Sequence, residues 1–333
     1  MIFQPAIIAL LLASAVAVLM LSVAAPFAVQ VIRKWDIRSG SERQLQLERR
    51  TYLFSTLTVF VMASQLLALL LFVFNADRMS VMFVGAMCAV GTLNVNAWGF
   101  PALIAQMAVF FLAAAWLALN HADTRAPDYP LVRIKYAALL GLLPLVALAF
   151  GLQLAYFLNL RADVITSCCG SLFSEDTKGL SGDLAAMDPK PAIFTFYAAL
   201  GMAVAVSMFH AARRRGGYWV ALAGAGALVA ALAGIISFLS LYIYEHPHHH
   251  CPFCILKPEY GYQGYLLYLP LFTATAASLG VGAIWPFRHR PSLAKVIPAF
   301  SARLAMVAAI GYLLFAAIAT VMALGSRLVL LEG

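Results

Sequence analysis

The chain has 333 residues, of which 63% are hydrophobic and only 11% are charged, and its formal net charge is +8 at pH 7. Soluble domains carry roughly 25% charged residues, so this composition excludes an ordinary soluble protein. Apolar runs long enough to cross a bilayer recur along the sequence, which excludes a membrane β-barrel with its short alternating strands. We therefore expect an all-α, polytopic membrane helical bundle that forms a single transmembrane domain over 1–333.

Long hydrophobic runs place the membrane spans. About eight spans are predicted, at 5–30, 51–74, 101–120, 136–160, 192–211, 218–243, 263–286 and 304–327. No acidic, basic or histidine side chain lies near the middle of any of these runs. Proton-coupled transporters and ion pumps place ionisable groups at that depth, so the bilayer centre is predicted to be a scaffold.

Lysine and arginine are distributed unequally between the loops. Sixteen of the 22 basic residues fall in the loops that follow the odd-numbered spans. The positive-inside rule therefore places these loops in the cytoplasm and both termini outside. A bacterial inner membrane fits this pattern, with the termini in the periplasm. The same rule explains the net positive charge, so no nucleic-acid partner is expected, and the spans are expected to contact membrane lipid.

One apolar segment does not fit the count of spans. Residues 79–99, MSVMFVGAMCAVGTLNVNAWG, are rich in glycine and carry two asparagines. A ninth crossing here would invert every later loop and destroy the charge asymmetry. We expect a re-entrant or interfacial segment instead, packed in protein or lining a wet cavity, with Cys88 near the outer face.

The cysteines concentrate in the two long outer loops, 161–191 and 244–262. Four of the five cysteines lie there, namely Cys168, Cys169, Cys251 and Cys254. The periplasmic side is the side on which disulfides form. Chemistry is therefore expected at the outer surface rather than within the bilayer.

The stretch YEHPHHHCPFC combines a C-x-x-C pair with four histidines. A thiolate is stabilised where the first sulfur begins a helix and where a protonated imidazole is adjacent. This predicts Cys251 as the attacking or attacked sulfur and Cys254 as its resolving partner. His249 and His250 are predicted to modulate the local electrostatics, and Glu245 to orient the histidines. The alternative is an unreactive disulfide between Cys251 and Cys254 that only stabilises the loop.

The second pair, Cys168 and Cys169, is vicinal. Adjacent cysteines bridge only through a strained ring, and strain makes a disulfide labile. They are predicted either to bridge each other or to pair separately, for example with Cys251 or Cys254. Two pairs on one face indicate a relay that exchanges electrons with a soluble thioredoxin-like protein.

The segment CPFCILKPEYGYQGY resembles the C-P-x-C-I-x-Q-R segment of membrane thiol oxidases of the DsbB type and, more loosely, the C-x-x-C of vitamin K epoxide reductases. The resemblance covers fewer than about 20 residues of motif. It implies a thiol-disulfide oxidoreductase in which a quinone reoxidises Cys251 and Cys254 while Cys168 and Cys169 face the protein partner. Tyrosines downstream would then line the quinone ring, unless they are interfacial anchors. These tyrosines are Tyr260, Tyr262, Tyr265 and Tyr268.

Two other function classes use the same residues. Thiolates and imidazoles are ligands for Cu(I) or Zn(II), and Hg(II) is drawn to thiolates by the same softness. The candidate ligands are His246, His248, His249, His250, Cys251 and Cys254. A metal-acquiring or metal-delivering protein of this kind would work with a metallochaperone. The third class is a membrane subunit that anchors a periplasmic redox complex.

Overall fold

The computed structural model describes residues 4–161, 163–166 and 180–328. Within these ranges the fold is all-α and contains no strand. Eight helical segments are long and apolar enough to cross a membrane, so the prediction of a polytopic helical bundle is confirmed. The long helices are α1 (Pro5–Lys34), α2 (Glu42–Arg78), α4 (Gly99–Thr124), α5 (Val132–Leu158), α7 (Pro189–Arg213), α8 (Gly217–Gly234), α10 (Gln263–Ile284) and α11 (Val296–Leu324). The short helices are α3 (Ala89–Leu93), α6 (Leu180–Ala185) and α9 (Ser240–Tyr244).

Every predicted span coincides with one of these segments, but two helices begin well before the predicted span. Helix α2 begins at Glu42 because the polar stretch 42–50 consists largely of good helix formers. The Ser41 hydroxyl accepts a hydrogen bond from the Gln44 backbone N–H at 3.4 Å and caps this end. Hydrophobicity marks where a helix enters the bilayer, and it does not mark where the helix begins.

The segment 79–99 is not a ninth spanning helix. It contains a 3-10 turn over Met79–Met82 and the five-residue helix α3. Thr166 is buried against it, donating its backbone N–H to Val84 O at 2.9 Å and its hydroxyl to Gly91 O at 3.0 Å. Gly85 has φ +86, and a Cβ there would lie 1.9 Å from Thr166 O. The glycine is therefore required by this close backbone approach.

The helices form two compact units. Unit 1 comprises Met1–Val73, Ala97–Leu160 and Leu279–Ala302. In its core, α5 packs against α1 and α4, and the ring of Phe27 lies edge-on to that of Tyr136 with centroids 5.6 Å apart.

A fully buried ion pair lies in unit 1. Lys135 Nζ is 2.8 Å from Asp123 Oδ2, with side chains 1% and 0% exposed. The same ammonium donates to Asn120 Oδ1 at 3.0 Å and Ser55 Oγ at 3.4 Å. An ammonium has three N–H donors, so all three are matched by acceptors. Lys135 thus stabilises the ends of α4 and α5 from inside the protein, although its sequence position indicated a cytoplasmic loop.

Unit 2 comprises Phe74–Asn96, Arg161–Ser278 and Arg303–Gly333, and it contains the cysteines described below. Helix α8 continues through a π-helical segment, Ile235–Leu239, into α9. Small residues bring the helices close, since a Cβ on Gly234 would lie 2.4 Å from the ring of Phe196. Bulky apolar side chains such as Phe194 and Val229 remain exposed on the long helices. These surfaces contact membrane lipid.

Candidate functional site

Three cysteines of unit 2 come together. The Sγ atoms of Cys88, Cys251 and Cys254 all lie within 4.8 Å of one another. Cys88 Sγ and Cys251 Sγ are 3.5 Å apart. The three residues are 0%, 0% and 3% exposed, and disulfides do not join them. We call this group the sulfur cluster.

Two segments that are far apart in sequence supply the cluster. Cys88 precedes the first turn of α3 in extended backbone, with φ −156 and ψ −174. Cys251 and Cys254 lie in the connection between α9 and α10, where Cys254 opens a 3-10 turn. Cys251 lies in the predicted outer loop and does not begin a helix, because α10 begins only at Gln263. A helix N-terminus does not stabilise its thiolate.

The hydroxyls of two partly buried tyrosines fix the backbone of the C-x-x-C segment. Tyr244 donates its hydroxyl to Cys251 O at 2.5 Å and accepts the Ile255 backbone N–H at 2.9 Å. Tyr268 donates its hydroxyl to Pro252 O at 2.6 Å. Buried carbonyl groups need such partners, so the two tyrosines hold the loop in one conformation. The sequence suggests Tyr268 only as a quinone-lining residue, and it does not assign Tyr244 to the site.

The start of α10 closes over the same loop. A Cβ on Gly264 would lie 2.8 Å from Leu256 Cδ2 and 3.0 Å from the carbonyl carbon of Ile255. Only glycine fits this approach without displacing the loop. The loop that carries both sulfurs is thus packed between α9 and α10 rather than extended into solvent.

Asp77 lies beside the Cys88 segment at the end of α2. Its side chain is 9% exposed, and it accepts a hydrogen bond from the backbone N–H of Ala89, the residue after Cys88. Lys257 and Cys88 lie within electrostatic range of this carboxylate. Among the described residues, no group hydrogen-bonds to the second oxygen, Asp77 Oδ1. Asp77 therefore orients the backbone that carries Cys88.

The four histidines separate in space. His246 and His248 are exposed, His249 is half-buried with its ring 4.2 Å from that of Tyr244, and His250 is 2% exposed. Because a carbonyl oxygen only accepts, His250 must donate its Nδ1–H to Ile236 O, 2.8 Å away in the π-helical segment. π-Helical turns recur at functional sites. The described histidines, cysteines and acidic residues form one group with metal-ligand spacing, and that group contains only the sulfurs.

The remaining predicted residues lie around the loop. Glu245 has φ +50, and its Oε1 accepts the backbone N–H of Arg327 at 2.9 Å, so one carboxylate oxygen is directed at the C-terminal segment. The ring of Tyr260 lies 4.7 Å from that of Tyr244. Tyr262 is 52% exposed and lies 6.3 Å from Tyr265 between ring centroids.

A groove of about 600 Å³ in the same unit is lined by Tyr242, Gln263 and Leu266, among others, and by none of the four tyrosines predicted to line a quinone ring. Cys168 and Cys169 lie outside the described residues.

The geometry suits a soft metal ion. With metal–sulfur bonds of about 2.3 Å, three thiolates around one ion stand about 3.8–4.0 Å apart. The observed sulfur separations of 3.5 Å and up to 4.8 Å bracket that value. The sulfurs therefore need to move by less than about 1 Å to bind an ion.

Comparisons with protein-family models, curated proteins and solved structures returned no match. The chemistry of the sulfur cluster is accordingly the basis for assigning a function.

Proposed function

We propose that this membrane protein binds a soft metal ion, Cu(I), Zn(II) or Hg(II), through Cys88, Cys251 and Cys254, for acquisition or delivery. The observation that carries the proposal is the convergence of three buried sulfurs within 4.8 Å. Thiolates select soft and borderline ions over Mg²⁺ or Ca²⁺, which bind oxygen. Burial excludes water and competing oxidants from the sulfurs, and the hydrogen-bonded loop holds them together before the ion arrives.

The compartment is part of the proposal. Sixteen of the 22 Lys and Arg residues fall in alternate loops, which supports an orientation with the cysteine-bearing connections outside the cytoplasm. In a bacterial inner membrane, the sulfur cluster would then receive ions from the periplasm or pass them to a periplasmic metallochaperone.

Binding of Cu(I) by purified full-length protein tests the metal proposal. Under anaerobic conditions, a colorimetric Cu(I) chelator competes with the protein, and the competition gives the affinity. Replacing Cys88, Cys251 or Cys254 by serine should each weaken binding by about 100-fold or more, since even outer-shell partners are worth 10–100-fold. The double variant Cys168→Ser, Cys169→Ser is the matched control and should bind as the native protein does. Unchanged affinity in all three single variants would overturn the proposal.

Thiol-disulfide exchange is the second candidate function, and two observations favour it. Cys88 Sγ and Cys251 Sγ already touch at 3.5 Å. Thr166, which is hydrogen-bonded to the segment that carries Cys88, precedes Cys168 by two residues. The vicinal pair thus follows closely in sequence a residue that contacts the Cys88 segment, which supports a relay from Cys168 and Cys169 to the cluster.

The redox step balances if a quinone accepts the electrons. Joining two of the cluster thiols into a disulfide forms one S–S bond and releases two electrons and two protons, which together convert a quinone to a quinol. The cluster disulfide would then accept two electrons from the Cys168 and Cys169 dithiol, and the disulfide formed there would oxidise a periplasmic thioredoxin-like protein by exchange. Near-complete burial of the sulfurs, at 0–3% exposure, argues against direct attack by a soluble protein on the cluster itself.

Acid-quenched alkylation in intact cells separates the two candidates. A relay predicts that Cys254→Ser traps an internal disulfide between Cys251 and the vicinal pair, and that Cys169→Ser traps a mixed disulfide with a soluble protein. Metal binding predicts reduced thiols that resist alkylation until a chelator is added. Reductant-resistant bridges with no adduct would instead favour a membrane anchor for a redox complex.

A further inference from the structure

Three imidazoles gather at the turn that precedes the sulfur cluster. The ring centroid of His246 lies 6.2 Å from that of His248 and 6.5 Å from that of His249. We propose that these three histidines form a second, solvent-facing metal site that captures the ion and loads the buried sulfurs. This inference rests on the proposed metal-binding function, and it places the ligands in two sites rather than one.

The ring spacing is close to what a shared ion requires. Imidazole nitrogens bind Zn(II) at about 2.0–2.1 Å, so two coordinated rings have centres about 5 Å apart in tetrahedral geometry and about 6.4 Å apart on opposite sides of an ion. The observed separations of 6.2 Å and 6.5 Å lie at the upper end of this range, about 1 Å above the tetrahedral value. His246 and His248 are exposed, so rotation about their side-chain bonds closes the difference.

The backbone of the turn keeps the three rings together. His249 donates its backbone N–H to His246 O at 3.4 Å, and Pro247 stiffens the intervening chain. His248 donates its backbone N–H to His246 Nδ1 at 3.3 Å, so this nitrogen presents its lone pair inside the turn. An ion on His246 Nδ1 would replace that long hydrogen bond.

Burial increases steadily from the histidines to the sulfurs. His246 and His248 are exposed, His249 is half-buried, and Cys251 is fully buried. The ring of His249 packs against Tyr244, and the hydroxyl of Tyr244 holds the carbonyl of Cys251. The proposed capture site and the sulfur cluster are thus joined through one packed residue.

The two sites together restrict which metal ions the protein can bind and transfer. Imidazole suits Cu and Zn, whereas thiolate suits Cu(I), Zn(II) and softer ions. An ion that passes from imidazoles to thiolates must bind both, which selects Cu(I) or Zn(II). Transfer toward the better and more buried ligands is downhill, so it needs no energy source in this chain.

Cu(I) titration of the full-length protein against a colorimetric chelator tests the capture site. The native protein should bind a tight equivalent at the sulfurs and a weaker one at the histidines. The triple variant His246→Gln, His248→Gln, His249→Gln should lose the weaker equivalent and keep the tight one. Its tight site should also load about tenfold more slowly from dilute Cu(I), because the ion is no longer concentrated beside the sulfurs.

Matched control variants distinguish the histidine site from the sulfur site. His289→Gln removes an exposed histidine elsewhere and should change neither equivalent. The variant Cys88→Ser, Cys251→Ser, Cys254→Ser should keep the weaker equivalent and lose the tight one, which tests the sulfur site independently. A weaker equivalent and a loading rate that both survive loss of the three histidines would overturn the capture site while leaving the sulfur site intact.

Discussion

Cys88 Sγ lies 3.5 Å from Cys251 Sγ, although 163 positions separate the two residues in the chain. This contact joins an apolar segment that does not cross the membrane to the only C-x-x-C pair of the chain. It converts a two-cysteine motif into a three-sulfur group. The metal-binding proposal depends on this contact more than on any single motif.

The contact between Gly85 and Thr166 should be intolerant of a side chain. Gly85→Ala places a Cβ 1.9 Å from Thr166 O at a residue whose φ is +86. A strained backbone of this kind costs about 1–3 kcal/mol, so the apparent unfolding temperature in detergent should fall. Binding of Cd(II), used here as a soft probe ion for the thiolates, should also weaken at the sulfur cluster. Gly40→Ala is the control, because nothing lies within 4 Å of its added Cβ. Native-like Cd(II) binding by Gly85→Ala would show that the Thr166 contact does not position Cys88.

Removing the hydroxyls that hold the C-x-x-C loop should weaken metal binding without removing a ligand. Tyr244→Phe leaves Cys251 O and the Ile255 N–H without their partner, and Tyr268→Phe does the same to Pro252 O. Each change should reduce Cd(II) affinity by about 10–100-fold, the usual effect of an outer-shell partner. The ultraviolet thiolate-to-Cd(II) charge-transfer band measures this affinity. Tyr218→Phe, at a 54% exposed ring, should leave it unchanged.

The role assigned to Asp77 depends on hydrogen bonding rather than on charge. Asp77→Asn keeps an oxygen that accepts the Ala89 N–H, whereas Asp77→Ala removes it. We expect near-native Cd(II) affinity in the asparagine variant and about tenfold weaker binding in the alanine variant. Equal loss in both variants would indicate that the negative charge matters, which would contradict a purely positioning role.

The buried ion pair of unit 1 should matter for stability and not for metal binding. Lys135→Met leaves the Asp123 carboxylate buried without its cation, which costs about 3–5 kcal/mol. The double variant Lys135→Met, Asp123→Asn removes the stranded charge and should recover part of that loss. Thermal unfolding in detergent measures the effect. Cd(II) titration of the same samples should show native affinity, since the cluster belongs to unit 2.

Much of the fold could be predicted from the sequence because the bilayer constrains it strongly. Each span needs about 20 apolar residues, so all eight appear as hydrophobic runs, and the charge asymmetry removed 79–99 from the count. Helix ends outside the bilayer have no such signal. The burial of Lys135 is likewise not predicted from its sequence position, which indicates a loop. In the structure it lies in the interior, paired with Asp123.

The site could be predicted only in part. The Cys251 and Cys254 pair is a local motif, and local motifs are visible in sequence. The approach of Cys88 depends on how the 79–99 segment packs, and neither periodicity nor spacing encodes that packing. For the histidines, the sequence groups residues that the structure separates. Their adjacency indicates one ligand set, but the turn directs His250 to Ile236 O, away from the exposed rings.

X-ray absorption spectroscopy of the Cu(I)-loaded full-length protein tests the central claim most directly. The three-sulfur site predicts a copper shell of three sulfur atoms at about 2.3 Å, which falls to two sulfurs in Cys88→Ser. The histidine triple variant loaded with one equivalent should give the same sulfur shell as the native protein. A shell made only of nitrogen or oxygen, or one that Cys88→Ser leaves unchanged, would contradict the assignment of Cys88, Cys251 and Cys254 as one metal site.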